Sequence, residues 1–230
     1  FLIDDWHSEC TCEDCGEKFV PQDGPVSHGD YGCPECGQKY SVRDAIEEQN
    51  GFDISQYAIE YYCDVCDENG RPRSEAKGYK PVEYEDLKLY ESAVAEWENS
   101  PELQEYVPSE SIPAGAATTT QFGGRYDGYD LPSQGYQDWT DMFNLRQLLC
   151  LSKILKRTNK IQNENIKEYM LLTLSETLNY NNQMVVYNPG YNKITNIFNT
   201  NSFSPPNKPV ENNVWGTKYG SGTLSDMRDM

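Results

Sequence analysis

Two matched C-x-x-C-G turns constrain this chain more than any other feature: Cys12-Glu-Asp-Cys15-Gly16 and Cys33-Pro-Glu-Cys36-Gly37. Each turn aims two thiolates at one point, and the glycine lets the chain fold tightly behind them. Together they supply four sulfurs, which is the ligand set of a closed tetrahedral zinc site with Zn–S bonds of ~2.3 Å. Such a site has no open position, so the ion it implies is structural. The spacing between the pairs leaves room for a short strand, a turn and a return strand. Phe19-Val20 and Lys39-Tyr40-Ser41-Val42 read as those strands, with Gly24-Pro25 and His28-Gly29-Asp30 in the turns. So small a ribbon cannot bury a core of its own. Metal binding, worth roughly 10–16 kcal/mol of apparent affinity in zinc peptides, would supply much of its folding free energy.

The remaining cysteines are Cys10, Cys63, Cys66 and Cys150. Cys63-Asp-Val-Cys66 is a third knuckle, following the strand-like Tyr57 to Tyr62. It has no second C-x-x-C pair as a partner, and Cys10, His7 or a pair lying before Phe1 are candidates to complete a possible second zinc site. Without a secretion pattern, paired C-x-x-C spacing points to metal rather than to a disulfide framework. Two matched knuckles likewise speak against a redox pair. Cys150 falls in an apolar helical pattern and reads as a small core residue.

Charge is split along the chain. Up to Glu110 there are 27 acidic and 8 basic residues, while from Ser111 onward there are 10 and 11. The acidic half repels a phosphate backbone, whose capture needs Lys and Arg. Adaptation to high salt accounts equally for such a surface. No stretch approaches the roughly 20 apolar residues of a membrane span, and no signal-peptide pattern is present. We therefore expect a cytoplasmic protein without a membrane partner. Both ends read as cut from something longer.

The expected fold class is α+β, in four parts. Residues 1–80 hold the zinc ribbon and the third knuckle. Residues 81–106 hold an acidic amphipathic helix from Glu83 to Ser100, with Leu87, Tyr90, Val94 and Trp97 on one stripe and Pro81 and Pro101 as start and stop signals. Residues 107–137, rich in Gly, Pro and Tyr, read as a long loop. Residues 138–230 hold a helical hairpin and an irregular β/loop tail. Its first helix runs from about Asp141 to Arg157, capped by Thr140 or Asp141, with Lys156 and Arg157 suiting the C-terminal dipole. Its second runs from about Asn165 to Asn181, marked by Ile166, Tyr169, Met170, Leu172, Leu174 and Leu178.

The run Trp139-Thr-Asp-Met-Phe-Asn-Leu-Arg-Gln-Leu-Leu149 is similar to the W-x-D-x-F-x-x-R-Q-L-L segment of the large zinc-ribbon-containing adenine-specific DNA methylases. The order of the other features agrees: the ribbon before it, then Leu178-Asn-Tyr-Asn181 and Glu211-Asn-Asn-Val-Trp-Gly216 after it. The resemblance covers roughly residues 10 to 222. It implies methyl transfer from S-adenosylmethionine to an exocyclic amino group of DNA, adenine N6 above all, in a parent protein. The family's cofactor motif, D-P-F-x-G-x-G/S, and its catalytic motif, D/N-P-P-Y/F, are both absent here. Asn188-Pro189-Gly190-Tyr191 is a near miss in a non-catalytic stretch. The resemblance thus makes residues 1–230 an insert between the two motifs, inactive alone and without catalytic or cofactor-binding residues. Its partners would be the rest of the methyltransferase chain and, through it, DNA. Arg146 and Gln147 are the polar residues placed for a specific contact; with Asp138 and Asp141 they could equally fix a local hydrogen-bond network. The alternative is a non-enzymatic zinc-ribbon adaptor binding protein or nucleic acid. A free-standing hydrolase or oxidoreductase is disfavoured by two histidines in all, no nucleophile elbow and no phosphate loop.

Overall fold

The computed structural model describes residues 9–21, 25–27, 30–41, 54–113, 119–122, 125–132, 135–200, 203, 205–206, 209–217 and 220–228. His7, Gly24, His28, Gly29 and Val42 lie outside them. The chain divides into two compact units. One comprises residues 2–55 and 112–137, and the other residues 56–111 and 138–230. The third knuckle therefore belongs with the helices rather than with the ribbon.

In the ribbon unit, β1 (Cys10–Thr11) pairs antiparallel with β2 (Lys18–Phe19). Strands β3 (Val26–Ser27), β4 (Asp30–Gly32) and β5 (Lys39–Ser41) form a second small sheet in that order. Asp30, expected in a turn, is paired with Ser27 and Ser41. Around the two knuckles the core is small: Cys12, Phe19 and Cys33 are buried, with Cys10, Tyr31 and Tyr40 packed against them, while Ile112, Leu131 and Tyr136 are buried elsewhere in the same unit. The segment expected as a loop adds a hairpin to this unit, introduced below in chain order.

The helical unit opens with β6 (Ala58–Tyr62). Two short helices, α1 (Asp64–Glu68) and α2 (Arg73–Ala76), carry the chain back into β7 (Lys77–Pro81), antiparallel to β6. Helix α3 (Tyr84–Glu98) follows. Its N-cap is Glu83, in a reciprocal capping box with Asp86, so the helix starts one residue after the expected Glu83. Of the expected stripe Trp97 is buried, whereas Leu87 remains 41% exposed. Pro101 both ends α3 and occupies the first turn of α4 (Pro101–Gln104).

Residues 107–137 are not one long loop. Strands β8 (Thr119–Phe122) and β9 (Arg125–Asp130) form an antiparallel hairpin. The β-branched threonines of β8 favour a strand despite the loop-like composition of the segment. The excursion is closed at its base by a bridge between Ser111 and Asp138, and by Ile112 N–H donating to the Gln137 carbonyl at 2.7 Å.

A 3-10 turn over Trp139–Met142 then leads into α5 (Leu145–Thr158). Helix α5 starts later than expected because Asn144, rather than Thr140 or Asp141, is its N-cap. Asn144 Oδ1 accepts from Gln147 N–H at 2.9 Å, while Gln147 Oε1 accepts from Asn144 N–H at 3.0 Å. Helix α6 (Glu164–Leu178) is capped by Asn163. Its buried face is Thr173, Leu174 and Thr177, whereas Ile166, Tyr169 and Leu172 face solvent. The threonines tolerate burial because each hydroxyl donates to a carbonyl one turn back, Thr173 to Tyr169 and Thr177 to Thr173.

Two apolar clusters hold the unit together: Trp97, Leu103, Leu148 and Leu149, and Leu151, Ile154, Leu174 and Val214. The tail adds the two-residue strands β10 (Tyr187–Asn188) and β11 (Lys193–Ile194) and the helix α7 (Leu224–Arg228). It is tied down by buried asparagine. Asn181 Nδ2 donates to the carbonyls of Thr177 and Gly222, and Asn182 bridges Leu178 to Met184. Asn188-Pro-Gly-Tyr191 is the turn of the β10–β11 hairpin, with Asn188 Oδ1 accepting from Gly190 N–H at 3.0 Å. Among the described residues no helix is long and apolar enough to cross a membrane.

Candidate metal centre

The two knuckles superpose in their hydrogen bonding. Cys12 N–H donates to Glu17 O at 2.8 Å and Cys33 N–H to Gln38 O at 2.8 Å. Gly16 N–H returns to Cys12 O at 2.9 Å and Gly37 N–H to Cys33 O at 3.0 Å. Closing these turns requires φ of +76° at Gly16 and +74° at Gly37, which a side chain would resist. The same local sequence has built the same turn twice, each closed by its own hairpin, and side-chain contacts such as Cys12 to Tyr40 join the two copies.

The four sulfurs of Cys12, Cys15, Cys33 and Cys36 converge within 4.8 Å of one another. Cys12 and Cys36 are 3.6 Å apart at sulfur, as are Cys15 and Cys33. A tetrahedron of Zn–S bonds of ~2.3 Å has sulfur–sulfur edges of ~3.8 Å, so the cluster fits a metal ion such as zinc with little adjustment. It is the one group of three or more potential metal ligands among the described residues. Cys12 and Cys33 are buried, while Cys15 and Cys36 form the exposed side.

Tyr40 is a participant that the cysteine pattern does not reveal. From β5 its hydroxyl lies 3.1 Å from Cys12 Sγ and accepts from Glu13 N–H at 2.9 Å. This hydrogen bond, with help from backbone N–H groups, holds the Cys12 thiol down to about 6. The same contact pushes the Tyr40 hydroxyl up to about 12. Cys15 moves the opposite way: the Glu17 backbone lowers it, but burial and its thiol neighbours outweigh that and push it up to about 12. Cys12 thus forms a thiolate more readily than an ordinary cysteine, and Cys15 less readily. Tyr31 stacks on Tyr40, with centroids 5.5 Å apart, and fixes its position.

No second group of metal ligands is found among the described residues, and His7, a candidate for one, lies outside them. Cys63 and Cys66 are joined by a disulfide, so neither has a thiolate to offer. Cys10, the third expected ligand, directs its thiol to the Phe19 carbonyl at 3.3 Å. Cys150 is half-buried on α5, and burial raises its thiol.

Arg146 and Gln147 are engaged inside the helical unit. Arg146 makes two parallel bonds of 2.7 Å to the Glu211 carboxylate and lies over the Tyr90 ring at 5.0 Å. Glu211 holds the guanidinium charged, outweighing the effect of burial. Gln147 is fully enclosed, its carbonyl spent on the cap of α5. Asp138 and Asp141 form a capping box around the 3-10 turn, and Asp138 also accepts from Ser111 at 2.8 Å. The polar residues of the Trp139–Leu149 run therefore set where two helical segments begin and what α5 is tied to. Glu211, missed as a partner of Arg146, lies 65 residues away in sequence and carries no local signal. No protein-family model, curated protein or solved structure matches this chain.

Proposed function

We propose that Cys12, Cys15, Cys33 and Cys36 hold a structural zinc ion, and that this chain is the non-catalytic zinc-ribbon region of an S-adenosylmethionine-dependent DNA methyltransferase acting on an amino group. The zinc half is carried by the convergence of four sulfurs at near-tetrahedral spacing. Four cysteine ligands fill the coordination sphere, so the ion pins the fold and activates no water. The methyltransferase half rests on the resemblance of the Trp139–Leu149 run. The use of that run's polar residues as caps and as an interior clamp is compatible with a scaffolding role and makes no step of the chemistry. The chain's own part is to present a fixed surface to the rest of the enzyme, not to bind the methyl donor or a target base.

Two measurements test the halves separately. Elemental analysis of the purified chain should give one zinc per molecule, and none would overturn the ribbon. Labelled methyl groups should pass from S-adenosylmethionine to DNA with the protein encoded by the whole reading frame that contains these residues. A frame that lacks both the cofactor and the catalytic motif, or that gives no incorporation, would overturn the enzymatic reading and leave the adaptor.

A further inference from the structure

Cys63 and Cys66 lie outside the proposed zinc site. They follow β6 in the helical unit and are joined by a disulfide across a sequence separation of 3. A disulfide stabilises chiefly by restricting the unfolded chain, and its effect rises with the length of loop it closes. A bond across one C-x-x-C turn is at the low end of that scale. The turn is also closed without it. Cys63 N–H donates to the Ala76 carbonyl at 2.7 Å, Arg71 N–H to the Cys66 carbonyl at 3.1 Å and Asp67 N–H to the Cys63 carbonyl at 3.2 Å. Tyr62 Oη donates to Asp67 Oδ2 at 2.8 Å, and β6 and β7 pair as far as Tyr62 and Lys77. Breaking the S–S bond therefore leaves the surrounding backbone held, which suits a bond that opens and recloses better than one that carries the fold.

Two further features favour exchange. Neither cysteine is fully buried, and Val65 between them is 65% exposed, so the turn stands at the surface. Cys66 N–H is directed at Cys63 Sγ at 3.2 Å. A backbone donor on sulfur stabilises a thiolate far more than a disulfide. Asp64, Asp67 and Glu68 on α1 oppose negative charge at either sulfur, and the amide offsets this at Cys63. We propose that Cys63–Cys66 is a reversible thiol–disulfide exchange centre whose co-reactant is a low-molecular-weight thiol. The thiolate of one such molecule attacks Cys66 Sγ. The S–S bond breaks, a mixed disulfide forms at Cys66, and the electron pair leaves with Cys63 Sγ, where the Cys66 N–H meets it. A second thiolate attacks the small molecule's sulfur in that mixed disulfide and releases Cys66. The protein is reduced by two electrons, two small thiols become one disulfide, and their two protons end on Cys63 and Cys66. The reverse sequence reoxidises the pair. This inference depends on neither the zinc nor the methyltransferase reading.

The test equilibrates the purified chain with glutathione buffers that run from excess reduced to excess oxidised form. After quenching with iodoacetamide and digestion, the peptide bearing Cys63 and Cys66 is weighed, which separates this pair from the ribbon cysteines. The pair should pass from two alkyl groups to none across the series and back again, with helical ellipticity unchanged. A pair that stays closed in excess reduced glutathione until urea unfolds the chain would be a structural cross-link and would overturn the proposal. So would loss of helical ellipticity on reduction, or a pair that oxidised glutathione never closes. Single variants test the roles. Cys66→Ser keeps the backbone N–H of residue 66. Near pH 7 its Cys63 should therefore react with iodoacetamide about threefold faster than Cys66 does in Cys63→Ser, the larger thiolate fraction outweighing a weaker nucleophile. Equal rates, or the reverse order, would overturn the assignment of attacked and released sulfur. The titration needs no variant, so it decides the exchange even where a variant fails to fold.

Discussion

Removing the metal should unfold the ribbon and spare the helices. The reason lies in the size of the ribbon's core. In the cluster around the two knuckles Phe19, at 7% exposure, is the one large apolar side chain among the described residues, and the cluster's other buried members are the ligands Cys12 and Cys33. Burying Phe19 contributes about 2–3 kcal/mol, against roughly 10–16 kcal/mol for a structural zinc. Two perturbations of the same small core should therefore behave differently. Phe19→Ala, costing about 3 kcal/mol, should leave the knuckles closed while metal is bound. Cys33→Ser or a strong chelator should open them. Amide hydrogen exchange reads this directly, because Cys12, Gly16, Cys33 and Gly37 each donate a defined backbone hydrogen bond within the knuckles. Their protection should collapse on chelation, while helical ellipticity from α3, α5 and α6, all in the other unit, stays unchanged. Knuckle amides that remain protected without metal would refute this reasoning. So would a Phe19→Ala protein that loses its metal as readily as Cys33→Ser.

Three further outcomes follow from the geometry. Tyr40→Phe removes the hydroxyl that bonds Cys12 Sγ and Glu13 N–H, and competition against a chromophoric chelator should show zinc affinity about tenfold or more lower. Asn144→Ala removes one arm of the α5 capping box and should cost about 1–2 kcal/mol in a urea titration; a change within error would mean that Gln147 alone sets the helix start. Glu211→Gln leaves the Arg146 guanidinium, 33% exposed, beside a neutral partner. Stability should fall by about 2–3 kcal/mol, less than for a fully buried pair because water still reaches the arginine. Adding Arg146→Met should recover part of that loss, and strict additivity in the double-mutant cycle would show that the two groups are not coupled.

The ribbon was legible because its signal is local and chemically specific. Two C-x-x-C-G turns encode both the backbone shape and the ligand direction, and nothing distant can override them. The helices were legible as segments but not at their edges. Asn144 and Gln147 form a reciprocal cap that the sequence does carry, as N-x-x-Q, but the strong apolar run and the nearby Thr140 and Asp141 drew the expected start too early. The buried face of α6 was misplaced for a different reason. Apolar periodicity favours Ile166, Tyr169 and Leu172, while the fold buries Thr173 and Thr177, whose hydroxyls their own helix satisfies. Hydropathy counts those threonines as polar, whereas inside a helix they are nearly as easily buried as valine.

What the sequence hid most fully is the pairing of the Trp139–Leu149 run with the tail. Arg146 and Gln147 look like residues held out for a partner, since an adjacent Arg-Gln beside an apolar helix face has the composition of a recognition element. Their placement follows from α5 itself. Residue 147 falls on the buried side of the helix with Leu148 and Leu151, so a glutamine there must spend its carbonyl internally, and it does so on the helix cap. Residue 146 sits at the margin of that face, where a long stem can lie against Tyr90 and the guanidinium can reach a carboxylate brought in by the tail. The Gln147 Nε2 group remains without a partner among the described residues, and an unpaired buried amide is costly enough to demand an explanation. Gln147→Met keeps the volume and removes both polar ends, giving up the cap bond and the unpaired donor together. The two effects oppose each other and are each about 1–3 kcal/mol. If the donor is truly unpaired, Gln147→Met should be nearly neutral in a urea titration, whereas Gln147→Glu, which keeps the cap acceptor but buries a carboxylate, should lose 2 kcal/mol or more. A strongly destabilised Gln147→Met protein would mean that Nε2 has a partner worth keeping.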